Sequence, residues 1–216
     1  MSSRIARCAA AVVAASATAL ADYPNARVIP NAAAVDSAGR PEPTIDLIFT
    51  GNLSYWPNVK ATIALCESIA PKVLRVLPRA RIVVAGRDPT NAIQRTCAAS
   101  GVELLANVDD IASLLRTSRL ALAPVDWTPG ANLKILEALA SGTPVLAYPA
   151  AVSQLPDECD GVWSCDGPSE MARVAVAVLK GTESINPPRR NRHTWLARAA
   201  DFEALLDSLL PRNQVG

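Results

Sequence analysis

From residue 45 onward, short apolar runs alternate with longer stretches of helical spacing. Ile45 to Thr50 is a strand-type run closed by Gly51-Asn52. Asn58 to Leu77 then carries Val59, Ile63, Leu65, Ile69, Val73, Leu74 and Leu77 on one helical face. Arg81 to Ala85 predicts a second strand, closed by Gly86, and Pro89 is placed to open a helix to about Ser100. Val102 to Leu105 predicts a third strand. Asp109 to Arg116 predicts a short helix with acidic residues in its first turn. Leu120 to Pro124 and Pro144 to Ala147 predict two more strands around a helix from Ala131 to Ser141, stopped by Gly142. Helices over 167–180 and 192–210 complete the pattern. Strands that are apolar throughout, alternating with helices, predict a doubly wound α/β domain: a parallel sheet covered on both faces. In such a domain ligands bind beyond the carboxyl ends of the strands, so the loops after the strands are where chemistry is sought.

The first 44 residues break this rhythm. Pro24, Pro30, Gly39, Pro41 and Pro43 punctuate a connector over 22–44 without helical or strand period. Before it, Arg4 and Arg7 precede the apolar run Ala9 to Ala15 and then Ala19-Leu20-Ala21, the outline of a signal peptide. The same run also fits a buried strand followed by Ser16 and a short helix, the last piece of a preceding domain. It is too short to span a bilayer.

Composition narrows the classes. Half of the 216 residues are hydrophobic and 19% are charged, which suits one sizeable globular core. A net charge of +1 and few aromatics argue against nucleic acid as a partner. The five cysteines, Cys8, Cys66, Cys97, Cys159 and Cys165, form no CxxC, and the lone His193 is far from all of them in sequence. This spacing predicts reduced thiols and no metal site.

Among the loops, Val125 to Asn132 is the most informative. Gly130, Ala131 and Asn132 run into a helix bearing Lys134 and, one turn later, Glu137. Backbone N–H groups at a helix start attract a diphosphate, a lysine there adds a point charge, and a carboxylate can accept from two ribose hydroxyls. The plainer alternative is a loop glycine, a solvated lysine and a glutamate at a helix start. Gly51-Asn52 is a second candidate phosphate contact or an ordinary turn, and Gly86-Arg87-Asp88-Pro89 is similar. GxGxxG and Walker A motifs are absent, which removes the main support for a dinucleotide dehydrogenase or a P-loop ATPase. His193 sits among Arg189, Arg190 and Arg192 with no nucleophile beside it, and the sequence offers no catalytic group.

Six segments, in order, resemble the C-terminal domain of the retaining glycosyltransferases of family 4. They are Val28-Ile29-Pro30-Asn31 with Val35-Asp36; Ile48 to Asn58; Pro78 to Gly86; Val108-Asp109-Asp110; Lys134 to Val145; and the tail Arg192 to Leu210 with Trp195. The resemblance implies one half of a GT-B enzyme: a Rossmann-like, nucleotide-sugar-binding domain over 41–216 with a C-terminal helix. Residues 1–40 would then be a remnant of the preceding domain and a linker. It implies a nucleoside diphosphate sugar as donor. Glu137 would bind the ribose, the backbone at Gly130 to Asn132 and the side chain of Lys134 would meet the diphosphate, and Gly51 and Asn52 would line the phosphate site. Val108 would lie near the base. Neither a cofactor nor a metal is implied; the cytoplasmic location expected here comes from the reading of the cysteines as reduced thiols. Where many members have a first glutamate this chain has Pro129, although Tyr55-Trp56-Pro57-Asn58 with Lys134 matches a subset of the family. The acceptor-binding half would be largely missing, so a separate domain or subunit is the expected partner, and membrane contact would come only through that half. The competing expectation is a non-catalytic nucleotide-binding or interaction module; a sugar epimerase is a weaker third.

Overall fold

A computed structural model describes residues 11–15, 20, 22, 23, 25–29, 31–33, 39–126, 132–153, 155, 159–189 and 194–209. Its strands are β1 (Val13–Ala14), β2 (Arg27–Val28), β3 (Ile45–Asn52), β4 (Ile82–Arg87), β5 (Glu103–Ala106), β6 (Ser118–Ala123), β7 (Val145–Ala147) and β8 (Val162–Ser164). The helices are α1 (Trp56–Ala64), α2 (Ala70–Val76), α3 (Asn91–Ser100), α4 (Ile111–Arg116), α5 (Leu133–Ala140), α6 (Pro149–Val152), α7 (Pro168–Leu179) and α8 (Trp195–Leu209).

Six strands form one parallel sheet in the order β5-β4-β3-β6-β7-β8. The chain starts in the middle, winds outward to β5, then returns to β6 and winds outward to β8. The order therefore reverses between β3 and β6, and the crevice of a doubly wound sheet opens beyond their carboxyl ends. Buried side chains fill both faces. Leu47, Phe49 and Val84 meet Leu65, Val73, Ile93 and Met171 on one side. Ile48, Val83 and Ala121 meet Leu115, Ile135 and Leu139 on the other. Each large aliphatic side chain taken out of water in this way contributes about 1.5–3 kcal/mol. The predicted doubly wound α/β fold is the fold observed.

Several boundaries differ from the sequence expectation. The helix expected over 58–77 starts at Trp56 and is interrupted by a π-helical turn at Leu65–Ile69, where Ala70 N–H donates to Leu65 O. Pro71 lies just beyond, and its ring would collide with a carbonyl one α-turn back; the wider turn relieves that clash. Pro89 does not open α3. Thr90 caps it by accepting from Ile93 N at 3.3 Å, which leaves the proline outside. Likewise Asp110 is the cap of α4, accepting from Ser113 N at 2.8 Å, and the first turn itself holds no acidic residue. The connector contains β2, which pairs in parallel with β1 apart from the main sheet. The strand β8 had no counterpart in the sequence pattern.

Arg40 fastens the connector to the domain. Its guanidinium donates to the carbonyls of Arg116 (3.3 Å), Gly142 (2.6 Å) and Ser118, all at the amino-terminal side of the sheet. No helix among the described residues is long and apolar enough to cross a membrane.

Candidate functional site

The carboxyl end of β3 approaches that of β4 very closely. A Cβ on Gly86 would stand 1.8 Å from the carbonyl oxygen of Gly51, so only glycine lets the two strand ends meet. A Cβ on Gly51 would in turn meet the Asn58 amide nitrogen at 2.7 Å. The space that Gly51 leaves is taken by Asn58, from the first turn of α1. Asn58 Nδ2 donates to Asn52 O at 2.9 Å, while Asn52 Oδ1 accepts from Ser54 N at 2.9 Å and Ser54 Oγ at 2.8 Å. The β3–α1 loop is therefore held by its own polar groups.

Lys134, in the first turn of α5, completes this cluster from across the crevice. Its ammonium donates to Asn58 Oδ1 and lies 4.4 Å from the centre of the Phe49 ring. Burial lowers its pKa to about 8, and the nearby Glu137 carboxylate only partly offsets that. Glu137 itself is exposed on α5, yet the surrounding protein mass pushes its pKa up and Lys134 pulls it back. The site thus presents a cation whose charge is poorly solvated, at a helix amino terminus, beside a carboxylate one turn further on.

Of the residues expected from the sequence, Gly51, Asn52, Lys134 and Glu137 come together at the switch point. Asn132 does not offer its side chain to a ligand: it is buried and donates to Ala151 O at 3.2 Å, tying the start of α5 to α6. Gly130, Ala131, Pro129 and His193 lie outside the described residues. Val108 follows β5, two strands from the switch point. Arg87 is exposed, and its carbonyl accepts from Leu53 N at 2.7 Å. Two participants were not singled out for the site, Asn58 and Phe49. The Tyr55 to Asn58 segment carried the signal for the first; the second had none beyond being an aromatic in a strand. Among the described residues no group of three or more His, Cys, Asp or Glu gathers as metal ligands. Cys66, Cys97 and Cys165 are buried free thiols.

The family model for group 1 glycosyl transferases matches residues 44–181, the sheet and nearly all its helices. The chain belongs to that family. Solved structures agree on the fold of this glycosyl transferase domain. Superposition on a Staphylococcus aureus TarM mutant, in complex with fondaparinux, alpha-GlcNAc-glycerol and UDP, gives a TM-score of 0.71 at 14% identity, covering 95% of this chain and 45% of TarM. Anabaena HepE in complex with UDP gives 0.67 at 17% identity, covering 93% and 64%. AviGT4, a glycosyltransferase involved in avilamycin A biosynthesis, gives 0.64 at 18%, covering 91% and 62%. The chain thus spans between 45% and 64% of the length of these three proteins. No curated protein matches it.

Proposed function

We propose that this domain binds a nucleoside diphosphate sugar and serves as the donor half of a two-domain, family 4 type glycosyltransferase. One observation carries the proposal: the Lys134 ammonium is held at the switch point by a neutral acceptor, Asn58, and its charge is disfavoured by burial. A diphosphate at the start of α5 would add counter-charge beyond that of Glu137, helped by the helix dipole and backbone N–H groups of the first turn. Glu137, one turn on, would accept from the ribose hydroxyls. The preorganised cation would then stabilise the leaving diphosphate as the glycosidic bond to the donor breaks. An acceptor-binding domain or subunit would form the other wall and exclude water. Residue 40 is the proposed boundary of the donor domain, and the proposed location is the cytoplasm. The UDP in the TarM and HepE complexes favours uracil as the base.

Calorimetric titration with UDP, GDP and ADP, beside a Glu137→Ala variant, tests this. Binding of UDP that weakens by about 1–3 kcal/mol in the variant is expected, the scale for hydrogen bonds to a charged group. A folded protein that binds none of the three overturns the proposal. It would leave the second reading, an interaction module, which is favoured by the exposed Trp195 (57%), Leu196 (83%) and Phe202 (42%) on α8.

A further inference from the structure

Cys66 and Cys97 stand 31 positions apart in the chain, and their sulfurs meet at 3.8 Å. A disulfide bond is about 2.05 Å long, so the two sulfurs have about 1.8 Å to close. Cys97, in the last turn of α3, is pinned. Its carbonyl accepts from Gly101 N, from Val102 N at 3.3 Å and from Ser100 Oγ at 3.1 Å. Cys66 belongs to the π-helical turn Leu65–Ile69, which interrupts an otherwise continuous helical run from Trp56 to Val76. Single π-turns inside α-helices recur at functional positions, and this one places the adjustable side of the pair at Cys66. An open groove has Cys66, Glu67, Pro71, Arg95 and Ser100 in its walls. Cys66, and not Cys97, contributes to that wall, so a small oxidant entering the groove comes to Cys66 first. The two thiols also differ in acidity. Cys97 donates to the Cys66 sulfur, and this contact holds the Cys66 thiol below its ordinary value against the effect of burial, with help from Ser100. The same contact and burial push the Cys97 thiol up, and burial pushes the other buried thiol, Cys165, up to about 11.

We propose that Cys66 and Cys97 are a modification site, a dithiol that a peroxide converts reversibly into an intramolecular disulfide. The Cys66 thiolate attacks one oxygen of hydrogen peroxide. The O–O bond breaks, hydroxide leaves, and Cys66 becomes a sulfenic acid. Cys97 Sγ then attacks the Cys66 sulfur. The S–O bond breaks, and the Cys97 proton departs with the hydroxide as water. In all, the thiols lose two electrons and two protons, and the peroxide is reduced to two waters. Exchange with an external dithiol, itself oxidised to a disulfide, restores both thiols. The bond would tie the helical run that carries Asn58 to α3, and it does not depend on what the crevice binds. The competing outcome is a pair of core thiols that pack as small apolar groups and stay inert.

Peptide mapping of the purified chain after hydrogen peroxide treatment tests this, with circular dichroism to show that the protein stays folded. Trypsin cuts after Lys60, Lys72, Arg95 and Arg116, so Cys66 falls on peptide 61–72 and Cys97 on peptide 96–116. The two peptides are expected as one linked species lacking two hydrogens. Cys66 and Cys97 should both stop reacting with an alkylating agent added under denaturing conditions, and dithiothreitol should restore both. Cys97→Ala removes the second thiol and leaves the sulfenic acid on Cys66, where dimedone traps it. In the parent, attack by the neighbouring sulfur outruns the trapping agent, so the variant should carry at least about tenfold more adduct on Cys66. A folded protein whose two thiols both remain alkylatable after peroxide treatment overturns the proposal. So does a linked species that forms only in urea, or an equal dimedone yield on Cys66 in parent and variant. The parent's peptide map decides the matter even if Cys97→Ala fails to fold.

Discussion

The Lys134 ammonium donates to the side-chain oxygen of Asn58, a residue 76 positions earlier in the chain. The same amide gives its nitrogen to Asn52 O at 2.9 Å, so one asparagine connects the two sides of the crevice. Asn58→Ala would take the acceptor from the part-buried Lys134 ammonium and remove one of two donors to Asn52 O, leaving Tyr55 N at 3.3 Å. A loss of about 1–3 kcal/mol is expected, visible as a lower Tm. Asn58→Asp would move the two observables apart. Its carboxylate would pair with Lys134 and recover stability, but it would occupy the charge meant for the diphosphate, so nucleotide affinity would fall. Thermal unfolding and calorimetry on both variants check this.

Proton linkage gives a second test. Burial lowers the Lys134 pKa from 10.5 to about 8, so the unfolded chain holds that proton more tightly than the folded one. Stability of the free protein should therefore rise as the pH climbs through about 8 toward the ordinary lysine range. The raised Glu137 pKa acts in the opposite sense: its cost appears as the pH rises above the usual carboxylate value of 4.5. A bound diphosphate would restore the lysine pKa, so binding should take up protons, and affinity should decline as the pH rises beyond about 8. Titrations in two alkaline buffers of different ionisation heat measure the uptake; equal apparent heats would mean that Lys134 does not meet the phosphates.

Gly86→Ala should be poorly tolerated. The added carbon would fall 1.8 Å from Gly51 O, a backbone atom in a central strand that cannot rotate away. A cost of about 3 kcal/mol or more is expected, at or beyond the usual range for overpacking. Gly39→Ala, where nothing lies within 4 Å, should change stability by no more than about 0.5 kcal/mol. Denaturant melts of the pair separate the close approach from a general glycine effect.

Tyr148→Phe removes a buried hydroxyl that has no partner among the described residues. Removing such a group spares its desolvation, so the variant should be as stable as the parent or up to about 1 kcal/mol more stable. A marked fall in Tm would show that the hydroxyl is bonded in the free protein.

The strands β3 to β7 were legible within a residue or two because β3, β4, β6 and β7 are mostly buried and appear as apolar runs, while β5 shows as Leu104-Leu105 between a glycine-stopped helix and a turn. Strand β8 was not. It is a three-residue edge strand with no fully buried member, and Trp163 is only partly covered. The start of α3 was misjudged because a proline is acceptable in a first turn, whereas the Thr90 hydroxyl supplies a hydrogen bond that decides the boundary. In the site, Lys134 and Glu137 were legible because they sit one turn apart on a single helix. Phe49 was not, since its meeting with Lys134 depends on how β3 and α5 are placed around the switch point, and local spacing carries no trace of that. The side chain of Asn132 was equally illegible: its amide turns toward Ala151 and ties α5 to α6, a packing contact that local spacing does not show.

The meeting of Gly51 with Gly86 has a bearing on how this domain can change. There the base of the crevice is main chain against main chain at Gly86, and bulk added at Gly51 would displace the Asn58 amide that holds the loop. Heritable variation has little to work on at that depth. New preferences for a ligand would have to be acquired at the rim, at positions such as Tyr55 and Trp56, whose side chains are exposed and leave the sheet beneath undisturbed.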